Sequence, residues 1–337
     1  MEIRVLKRRD LEVLLEMKQV ICGVEEAYRT KAQGNVAAWP LVEHHFDGNA
    51  VMDIRSGGVF GDVNVHGAKM LNNFPGNAER NLPVFTGVLM VFDSNTGIPM
   101  GILDASYVTC MRTGAAGAIS VRALSRKDTA TLLLVGAGRQ AFYQVGAVLS
   151  AMPGITRVLV VDPLSVEFAQ KFAESMPERL NAELHIDAEK VSFEAMESLE
   201  EAVGKADAII TITRAMKPLI RREWVRPGTH LTCIGADMAG KEEVDPELFR
   251  GSRVFCDDIA QCCRVGESEI PFKMGIIREE DFCGEIGQVL TGEVPGRLSD
   301  EDITIFDATG LAALDLVTAK VALESAVQAG IGQIAEL

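Results

Sequence analysis

The sequence predicts an α/β protein in which a parallel β-sheet, covered by helices on both faces, occupies the middle of the chain. Between about residues 128 and 295, apolar runs such as TLLLV, RVLVV and AIIT alternate with amphipathic segments. Strands that are apolar along their whole length are typical of parallel sheets that are buried on both faces. The segments before and after this block have other patterns, which favour a second domain of α+β type.

The N-terminal part begins with one predicted helix over residues 10–31, where apolar side chains recur at helical spacing. From residue 39 to 92, short runs such as VEHHF, AVMDI and TGVLMVF are separated by turns that contain Gly and Asn, and this pattern predicts strands. Residues 106–125 predict a helix rich in Ala and Gly. Its small side chains permit close packing against another backbone.

The middle block contains predicted strands at TLLLV, RVLVVD, ADAIITIT, GTHLTCIGAD and RVFCDD, with helices at AFYQVGAVLSAM and SVEFAQKFAESM. The final strand, DITIFD, and the helix that follows it fall outside this alternation, so we expect both to return to the N-terminal part. The prediction is therefore a discontinuous domain of residues 1–125 plus 300–337, with a second domain of residues 126–299 inserted into it.

Composition and charge exclude several classes of protein. Among the 337 residues, 48 are acidic and 33 are basic, and the net charge of −15 disfavours nucleic acid and anionic membranes as partners. The longest charge-free stretch, residues 140–156, is too short and too rich in Gly and Pro to span a membrane. Seven cysteines lack metal-ligand spacing, which predicts reduced thiols, a cytoplasmic location and no metal site.

A glycine motif carries the clearest chemical signal. Gly136 and Gly138, in GAGRQA, follow the strand TLLLV and open a helix, and Asp162 ends the next strand 24 residues after Gly138. Glycines allow the backbone to approach a pyrophosphate, and the helix N-terminus offers free N–H groups. This arrangement predicts a dinucleotide site of Rossmann type. Because Asp162 can accept hydrogen bonds from ribose hydroxyls and would repel a 2′-phosphate, we expect NAD rather than NADP.

Two cations and one carboxylate are further candidates. Lys69 and Arg112 lie in apolar, glycine-rich segments, where a charge needs an anionic partner. That partner is either a protein carboxylate or a bound substrate or phosphate. Asp237 follows an apolar strand, where it could transfer protons or cap a helix. The weaker acid–base candidates are His44, His45 and His66.

Together these motifs resemble the ornithine cyclodeaminase/μ-crystallin family. The similar segments lie between about residues 37 and 320 and include FPGN, MRTGAAGAI, VGAGRQA, IGADMAGKEEVD and DATGLAALD. The resemblance implies a homodimer in which a Rossmann-fold NAD-binding domain is inserted into an α+β substrate-binding and dimerisation domain. It also implies hydride transfer between the nicotinamide and the α-carbon of a small amino or imino acid.

The family's functional residues match positions in this sequence. Lys69 and Asp237 match the catalytic lysine and the acid–base aspartate, and Lys69 and Arg112 match the residues that hold the substrate carboxylate. Thr309 matches a position near the substrate. The implied cofactor-binding residues are Arg112, Thr113, Gly136, Gly138, Arg139, Gln140, Asp162, Thr213, Gly235, Asp237, Lys241 and Ala308.

Two departures from the family pattern affect the substrate. Many members have an arginine after the proline of the first strand, but here Leu41 follows Pro40. We hypothesise that Arg55, on the neighbouring strand, supplies the missing cation. Asp53 is a candidate acceptor for a distal ammonium group of the substrate. Ala308 replaces a serine that is common in the family.

The resemblance favours an NAD-dependent amino-acid dehydrogenase or imine reductase. One alternative is an ornithine- or lysine-type cyclodeaminase, a lyase that releases ammonia with NAD bound. Another is a non-catalytic NAD(H)-dependent ligand-binding protein of μ-crystallin type. The sequence does not identify the side chain of the substrate or the physiological direction of the reaction.

Overall fold

The structure is a computed structural model that describes residues 1–336. The chain forms two compact units. Unit 1 contains Met1–Arg112 and the C-terminal segment from Leu311, and unit 2 contains Thr113–Gly310.

The strands are β1 (Glu2–Leu6), β2 (Val36–Ala38), β3 (Val42–Phe46), β4 (Ala50–Val59), β5 (Val65–Asn73), β6 (Phe85–Asp93), β7 (Pro99–Asp104), β8 (Thr131–Val135), β9 (Arg157–Val161), β10 (Ser192–Ala195), β11 (Ala208–Thr211), β12 (Met216–Ile220), β13 (His230–Cys233), β14 (Glu242–Val244), β15 (Arg253–Cys256), β16 (Phe282–Glu285), β17 (Thr304–Asp307) and β18 (Gln333–Glu336).

The α-helices are α1 (Arg8–Leu14), α2 (Met17–Ala32), α3 (Ala105–Leu124), α4 (Arg139–Ala151), α5 (Val166–Leu184), α6 (Leu199–Lys205), α7 (Ile259–Val265), α8 (Glu269–Lys273), α9 (Ile286–Thr291) and α10 (Ala312–Ala329).

Unit 1 is built on a largely antiparallel sheet with the strand order β18-β1-β7-β6-β5-β4-β2, and β3 also pairs with β4. Helix α10 packs on one face of this sheet. The approach is close because a Cβ atom at Gly67 of β5 would lie 2.9 Å from Cδ2 of Leu316, and one at Gly101 of β7 would lie 2.6 Å from Cδ2 of Leu323. Glycine at these two positions therefore lets α10 lie directly on the strands.

Unit 2 contains an eight-stranded sheet with the order β10-β9-β8-β11-β13-β17-β15-β16, in which every neighbouring pair is parallel. The central strands are buried along their whole length, as their continuous apolar sequences predict. Helix α3 packs tightly against α4, since a Cβ at Gly114 would lie 2.4 Å from the carbonyl oxygen of Tyr143. The predicted α/β fold class is confirmed.

Three details differ from the sequence-based expectation. The predicted single helix over residues 10–31 is two helices, because Leu15 and Glu16 are extended. Leu14, Leu15 and Met17 are all buried, and one straight helix would spread them over too wide an arc to bury together. Strand β17 does not join the N-terminal sheet but lies between β13 and β15, so the parallel sheet continues past residue 299. The division between the units falls inside α3 rather than after it.

Candidate functional site

The glycine motif lies at the carboxyl end of β8, where parallel α/β sheets bind ligands. Gly136 has a φ of 106°, and a Cβ there would lie 2.8 Å from the carbonyl oxygen of Ile212, so glycine is required. Gly138 is the residue before α4, and no atom lies within 4 Å of the position of its missing Cβ. The backbone at the start of α4, which opens with Arg139 and Gln140, is thus accessible to an anion.

Asp162 lies directly after β9 and contacts the glycine turn. Its Oδ2 accepts a hydrogen bond of 2.9 Å from the Ala137 N–H, and its Oδ1 accepts one of 3.0 Å from the Leu164 N–H. The N-terminus of α4 next to the glycine turn, the open space at Gly138 and an acidic side chain at the end of the next strand together fit a bound dinucleotide.

A buried glutamate connects two of the predicted cofactor-binding residues. Glu243, on β14, accepts hydrogen bonds from the N–H of Thr213 at 2.6 Å and from the N–H of Gly235 at 2.9 Å. Thr213 follows β11 and Gly235 follows β13, so one carboxylate fixes the loops after two parallel strands. A Cβ at Gly235 would lie 2.5 Å from three atoms of this carboxylate.

A second carboxylate, that of Glu267, holds the backbone of β14 at Glu243. The Oε1 atom of Glu267 accepts hydrogen bonds from the N–H groups of Glu243 at 2.8 Å and Val244 at 2.7 Å. Burial raises the pKa of Glu267 well above its usual range, and Glu243 adds to this effect. Burial also raises the pKa of Glu243. Both carboxyl groups are therefore shielded from solvent, and hydrogen bonds from backbone N–H groups hold them in place.

The loop after β13 contains Asp237 and Lys241. Lys241 Nζ donates to Asp237 Oδ1 at 2.5 Å and to the Gly235 carbonyl oxygen at 3.2 Å. The side chain of Asp237 is half exposed, at 49%. The loop continues into β14 and no helix begins there, so the alternative role of Asp237 as a helix cap is excluded. The carboxylate of Asp237 is therefore accessible to solvent and is paired with the Lys241 ammonium group.

The loop after β17 contains Ala308 and Thr309, and it is held by a buried aspartate. Thr309 Oγ1 donates to Asp257 Oδ1 at 3.0 Å, and the Gly310 N–H donates to Asp257 Oδ2 at 2.6 Å. Gln261 Nε2 also donates to Thr309 Oγ1 at 2.8 Å. Burial raises the pKa of Asp257. The loop's conformation is thus fixed from within unit 2.

In unit 1, a salt-bridge network surrounds Lys69. Lys69 Nζ, on β5, donates to Asp315 Oδ2 at 2.7 Å and to Thr109 Oγ1 at 3.3 Å. Arg112 Nε, on α3, donates to Asp315 Oδ1 at 3.2 Å. The side chains of Lys69 and Asp315 are 1% exposed and that of Arg112 is 9% exposed. One buried carboxylate therefore bridges two cations.

Arg55 and Asp53 extend this network toward solvent. In the β4–β5 register Arg55 is directly opposite Lys69, so both side chains lie on the same face of the sheet, and Asp53 shares that face. Arg55 Nε lies 3.5 Å from Asp53 Oδ2, and the two side chains are 17% and 20% exposed. We call Asp53, Arg55, Lys69, Arg112 and Asp315 the charged cluster.

Burial and charge shift the pKa values in the charged cluster. Burial lowers the pKa of Lys69 from 10.5 to about 8; Asp315 opposes this shift, whereas Arg112 and Arg55 add to it. Burial acts to raise the pKa of Asp315, but Arg112 and Lys69 outweigh it and hold this pKa below its usual value. Lys69 can therefore exchange a proton near neutral pH, while Asp315 remains ionised.

The sequence profile of the ornithine cyclodeaminase/mu-crystallin family matches residues 1–330. This chain is a member of that family. One relative with a similar sequence is alanine dehydrogenase of Archaeoglobus fulgidus, which is 34% identical over 337 residues, with 98% of each chain covered. Another is iminosuccinate reductase of Paracoccus denitrificans, which is 30% identical over 333 residues, with 99% of each chain covered.

Solved structures of this family share the fold. An archaeal alanine dehydrogenase dimer with bound NAD has a TM-score of 0.91 at 33% identity, with 100% of both chains covered. Δ1-Pyrroline-2-carboxylate reductase of Thermococcus litoralis, in complex with NADH and L-proline, has a TM-score of 0.89 at 31% identity, covering 98% of this chain and 99% of that one. A lysine cyclodeaminase has a TM-score of 0.84 at 25% identity, covering 100% and 96%.

The candidate residues from the family resemblance and from the departures from it fall into two groups. Arg55, Asp53, Lys69 and Arg112 lie together in the charged cluster of unit 1, and the others, from Thr113 to Thr309, belong to unit 2. The remaining histidine candidates lie elsewhere. His44 and His45 are exposed on β3. His66 is three residues from Lys69 on β5, so its side chain is on the opposite face, where it stacks on Phe92.

Sequence reasoning missed three carboxylates: Asp315, Glu243 and Asp257. Asp315 is the anion that Lys69 and Arg112 require, which was one of the two expected alternatives. The signal for it was an aspartate that follows apolar residues in the first turn of α10. Glu243 and Asp257 gave no comparable signal, because each follows or joins a short strand among several other acidic residues.

The described part of the chain has no candidate for a metal site or for a membrane-spanning helix. Within residues 1–336, no group of three or more His, Cys, Asp or Glu side chains is arranged to hold a metal ion. None of the helices described over the same range has the length and apolar character needed to cross a bilayer.

Proposed function

We propose that this chain is an NAD-dependent enzyme that transfers a hydride between the nicotinamide and the α-carbon of a small amino or imino acid, as an amino-acid dehydrogenase or imine reductase. The observation that carries this proposal is the charged cluster, in which three cations face two carboxylates. A buried excess of positive charge fits a substrate carboxylate. The alanine dehydrogenase and iminosuccinate reductase relatives support the same chemistry.

The residues of unit 1 bind and orient the substrate in this proposal. Arg112 and Arg55 hold the substrate carboxylate, since guanidinium groups match carboxylate geometry. Lys69 exchanges a proton with the substrate nitrogen, because its pKa of about 8 allows both forms near neutral pH. Asp315 keeps Lys69 and Arg112 in place through its two oxygens.

The residues of unit 2 bind the cofactor. When bound, the nicotinamide accepts or supplies the hydride. Gly136, Gly138 and the start of α4 hold the pyrophosphate, with Thr113, Arg139 and Gln140 around it. The loops that carry Thr213, Gly235, Lys241 and Ala308 complete the cofactor site, and Thr309 approaches the substrate. Asp237 takes up or releases a proton at nitrogen or at water. We infer a preference for NAD over NADP from Asp162, as argued from the sequence.

A cyclodeaminase, a lyase that releases ammonia, is the second candidate. Within residues 1–336, Oδ1 of Asp53 is buried and has no hydrogen-bond donor, so it could receive a distal ammonium group of ornithine or lysine. The similarity to lysine cyclodeaminase supports this alternative. Arg55 argues against it, because its positive charge would repel the distal ammonium.

We also propose that the protein is a homodimer, and the dimer described for the similar archaeal alanine dehydrogenase supports this. On the sheet face opposite α10, Val42, Ile54, Met70 and Val88 form one row across β3 to β6. Val42, Met70 and Val88 are 52%, 39% and 47% exposed in a single chain, so a second copy would bury an apolar surface here.

We propose a cytoplasmic location, and the seven free cysteines are in keeping with it.

The test of the proposed function is an activity screen. NAD⁺ reduction is followed with each common L-amino acid, and ammonia release is measured with ornithine and lysine. NADH that accumulates with one amino acid supports a dehydrogenase, and NADH oxidation with an imine supports a reductase. Ammonia from ornithine or lysine without net NADH supports the cyclodeaminase. Ligand binding without any turnover would leave a μ-crystallin-type binding protein and refute the enzyme.

A further inference from the structure

The arrangement of charge in the charged cluster limits how many carboxylates a ligand can bring. Arg55, Lys69 and Arg112 contribute three positive charges. Asp315 neutralises one of them from the buried side, through hydrogen bonds to Lys69 and Arg112. Asp53 neutralises another from the more exposed side, through its contact with Arg55. One positive charge is left in excess.

Asp53 affects a ligand more strongly than a paired surface carboxylate would. Its Oδ2 atom is 3.5 Å from Arg55 Nε, a long and weak contact. Its Oδ1 atom is buried, and no donor within residues 1–336 bonds to it. A carboxylate oxygen without a donor in a poorly solvated position repels other anions nearby.

The two ends of the charged cluster differ in exposure. Lys69 and Asp315 are 1% exposed, whereas Arg55 and Asp53 are 17% and 20% exposed. A ligand that enters from solvent therefore meets the Arg55–Asp53 pair. A second carboxylate on the ligand would need an unpaired cation at this end, but there Asp53 has already reduced the positive charge of Arg55.

We infer that Asp53 is a specificity-determining residue that restricts the substrate to one carboxylate group, selecting small monocarboxylic amino or imino acids over dicarboxylic ones. This inference rests on the proposed function, and it names the substrate class of that same site. It assigns Arg55 to the single substrate carboxylate and gives Asp53 the role of excluding a second one.

The test compares the binding of propionate, which has one carboxylate, with that of succinate, which has two. Dissociation constants are measured by calorimetry on the full-length protein saturated with NADH. The wild-type protein is expected to bind propionate about ten times more tightly than succinate, a difference of about 1.4 kcal/mol. In Asp53→Asn this ratio is expected to fall about tenfold, mainly because succinate binds more tightly.

Asp47→Asn is the matched control, because Asp47 is an exposed aspartate in the turn between β3 and β4 and its removal changes the net charge equally. Asp53→Ser provides a second variant in case Asp53→Asn does not fold, as checked by circular dichroism. The inference is overturned if wild-type protein binds succinate as tightly as propionate, if neither ligand binds, or if the ratio is unchanged in the Asp53 variants. If the binding preference holds but no amino or imino acid is turned over, the proposed function is wrong, and only the role of Asp53 in excluding a second carboxylate stands.

Discussion

Lys69 Nζ donates a hydrogen bond of 2.7 Å to Oδ2 of Asp315, which lies 246 residues further along the chain. The same carboxylate accepts a hydrogen bond from Arg112 through Oδ1. Because this single carboxylate pairs with both Lys69 and Arg112, removal of Asp315 leaves the charges of two buried cations without compensation.

Asp315→Asn is expected to lower the free energy of unfolding by about 3–5 kcal/mol, the usual cost of breaking a buried ion pair on one side. The measurement is urea denaturation at neutral pH. The matched control is Glu12→Gln, which breaks the Arg8–Glu12 pair of the same unit. That pair is also 2.7 Å long, but its side chains are 45% and 41% exposed. We expect the control to cost at most about 1 kcal/mol. Equal losses in both variants would contradict the prediction.

Lys69 predicts a specific dependence of stability on pH. Its pKa is about 8 in the folded protein and 10.5 in the unfolded chain, so between these values the unfolded state binds more protons. The stability contribution of Lys69 is therefore expected to increase as pH rises from about 8 to 10.5. The slope is at most about 1.4 kcal/mol per pH unit.

The measurement is the difference in unfolding free energy between wild-type protein and Lys69→Met at several pH values. Subtraction of the variant removes the contribution of groups that titrate in both proteins. The difference is expected to change in favour of the wild type as pH rises above 8. A difference that is constant from pH 7 to 10 would show that the pKa of Lys69 is not lowered.

Asp162→Ser is expected to change the cofactor preference. The substitution removes the carboxylate that would repel a 2′-phosphate, while a hydroxyl can still accept from the Ala137 N–H. We expect the ratio of kcat/KM for NADP to that for NAD to rise about a hundredfold, or about 2.7 kcal/mol. Glu167→Gln, at an exposed acidic position in the first turn of α5, is the control and should leave the ratio unchanged. A strong preference for NADP in the wild-type protein would refute this role.

Gly235→Ala is expected to weaken cofactor binding through Glu243. The added Cβ would lie 2.5 Å from the carboxylate of Glu243, so that carboxylate must move and lose its hydrogen bonds to Thr213 and Gly235. The loss of one such bond is worth about 1.5–3 kcal/mol, so the dissociation constant for NADH should rise about tenfold or more. Fluorescence titration with NADH measures this change.

Gly204→Ala is the matched control for this substitution. Gly204 lies in α6, and no atom is within 4 Å of the position of its missing Cβ. Alanine there is expected to leave the affinity for NADH unchanged and to stabilise the protein by about 0.5–1 kcal/mol. If both variants bind NADH as the wild type does, Glu243 does not position the cofactor loops.

The part of the site that sequence reasoning predicted best is the glycine turn with Asp162. Its features are local: an apolar strand, two glycines, a helix and an acidic residue at the end of the next strand. Each is encoded by neighbouring residues, and the crossover between parallel strands brings the strand ends to the same edge. The prediction that β17 returns to the N-terminal part was wrong, because the position of this strand depends on contacts that are distant in sequence. Its sequence is typical of a buried strand, but only the pairing with β13 and β15 decides which sheet it joins.

By itself, the sequence determined that Lys69 and Arg112 need an anionic partner, because a buried charge without compensation is too costly. It could not identify that partner, since no periodicity connects residues 246 positions apart. The tertiary structure decided this by placing α10 on β5, where Gly67 lets the helix approach. It likewise decided that Arg55 faces Lys69, because the antiparallel register of β4 and β5 places these two residues directly opposite each other, on one face of the sheet.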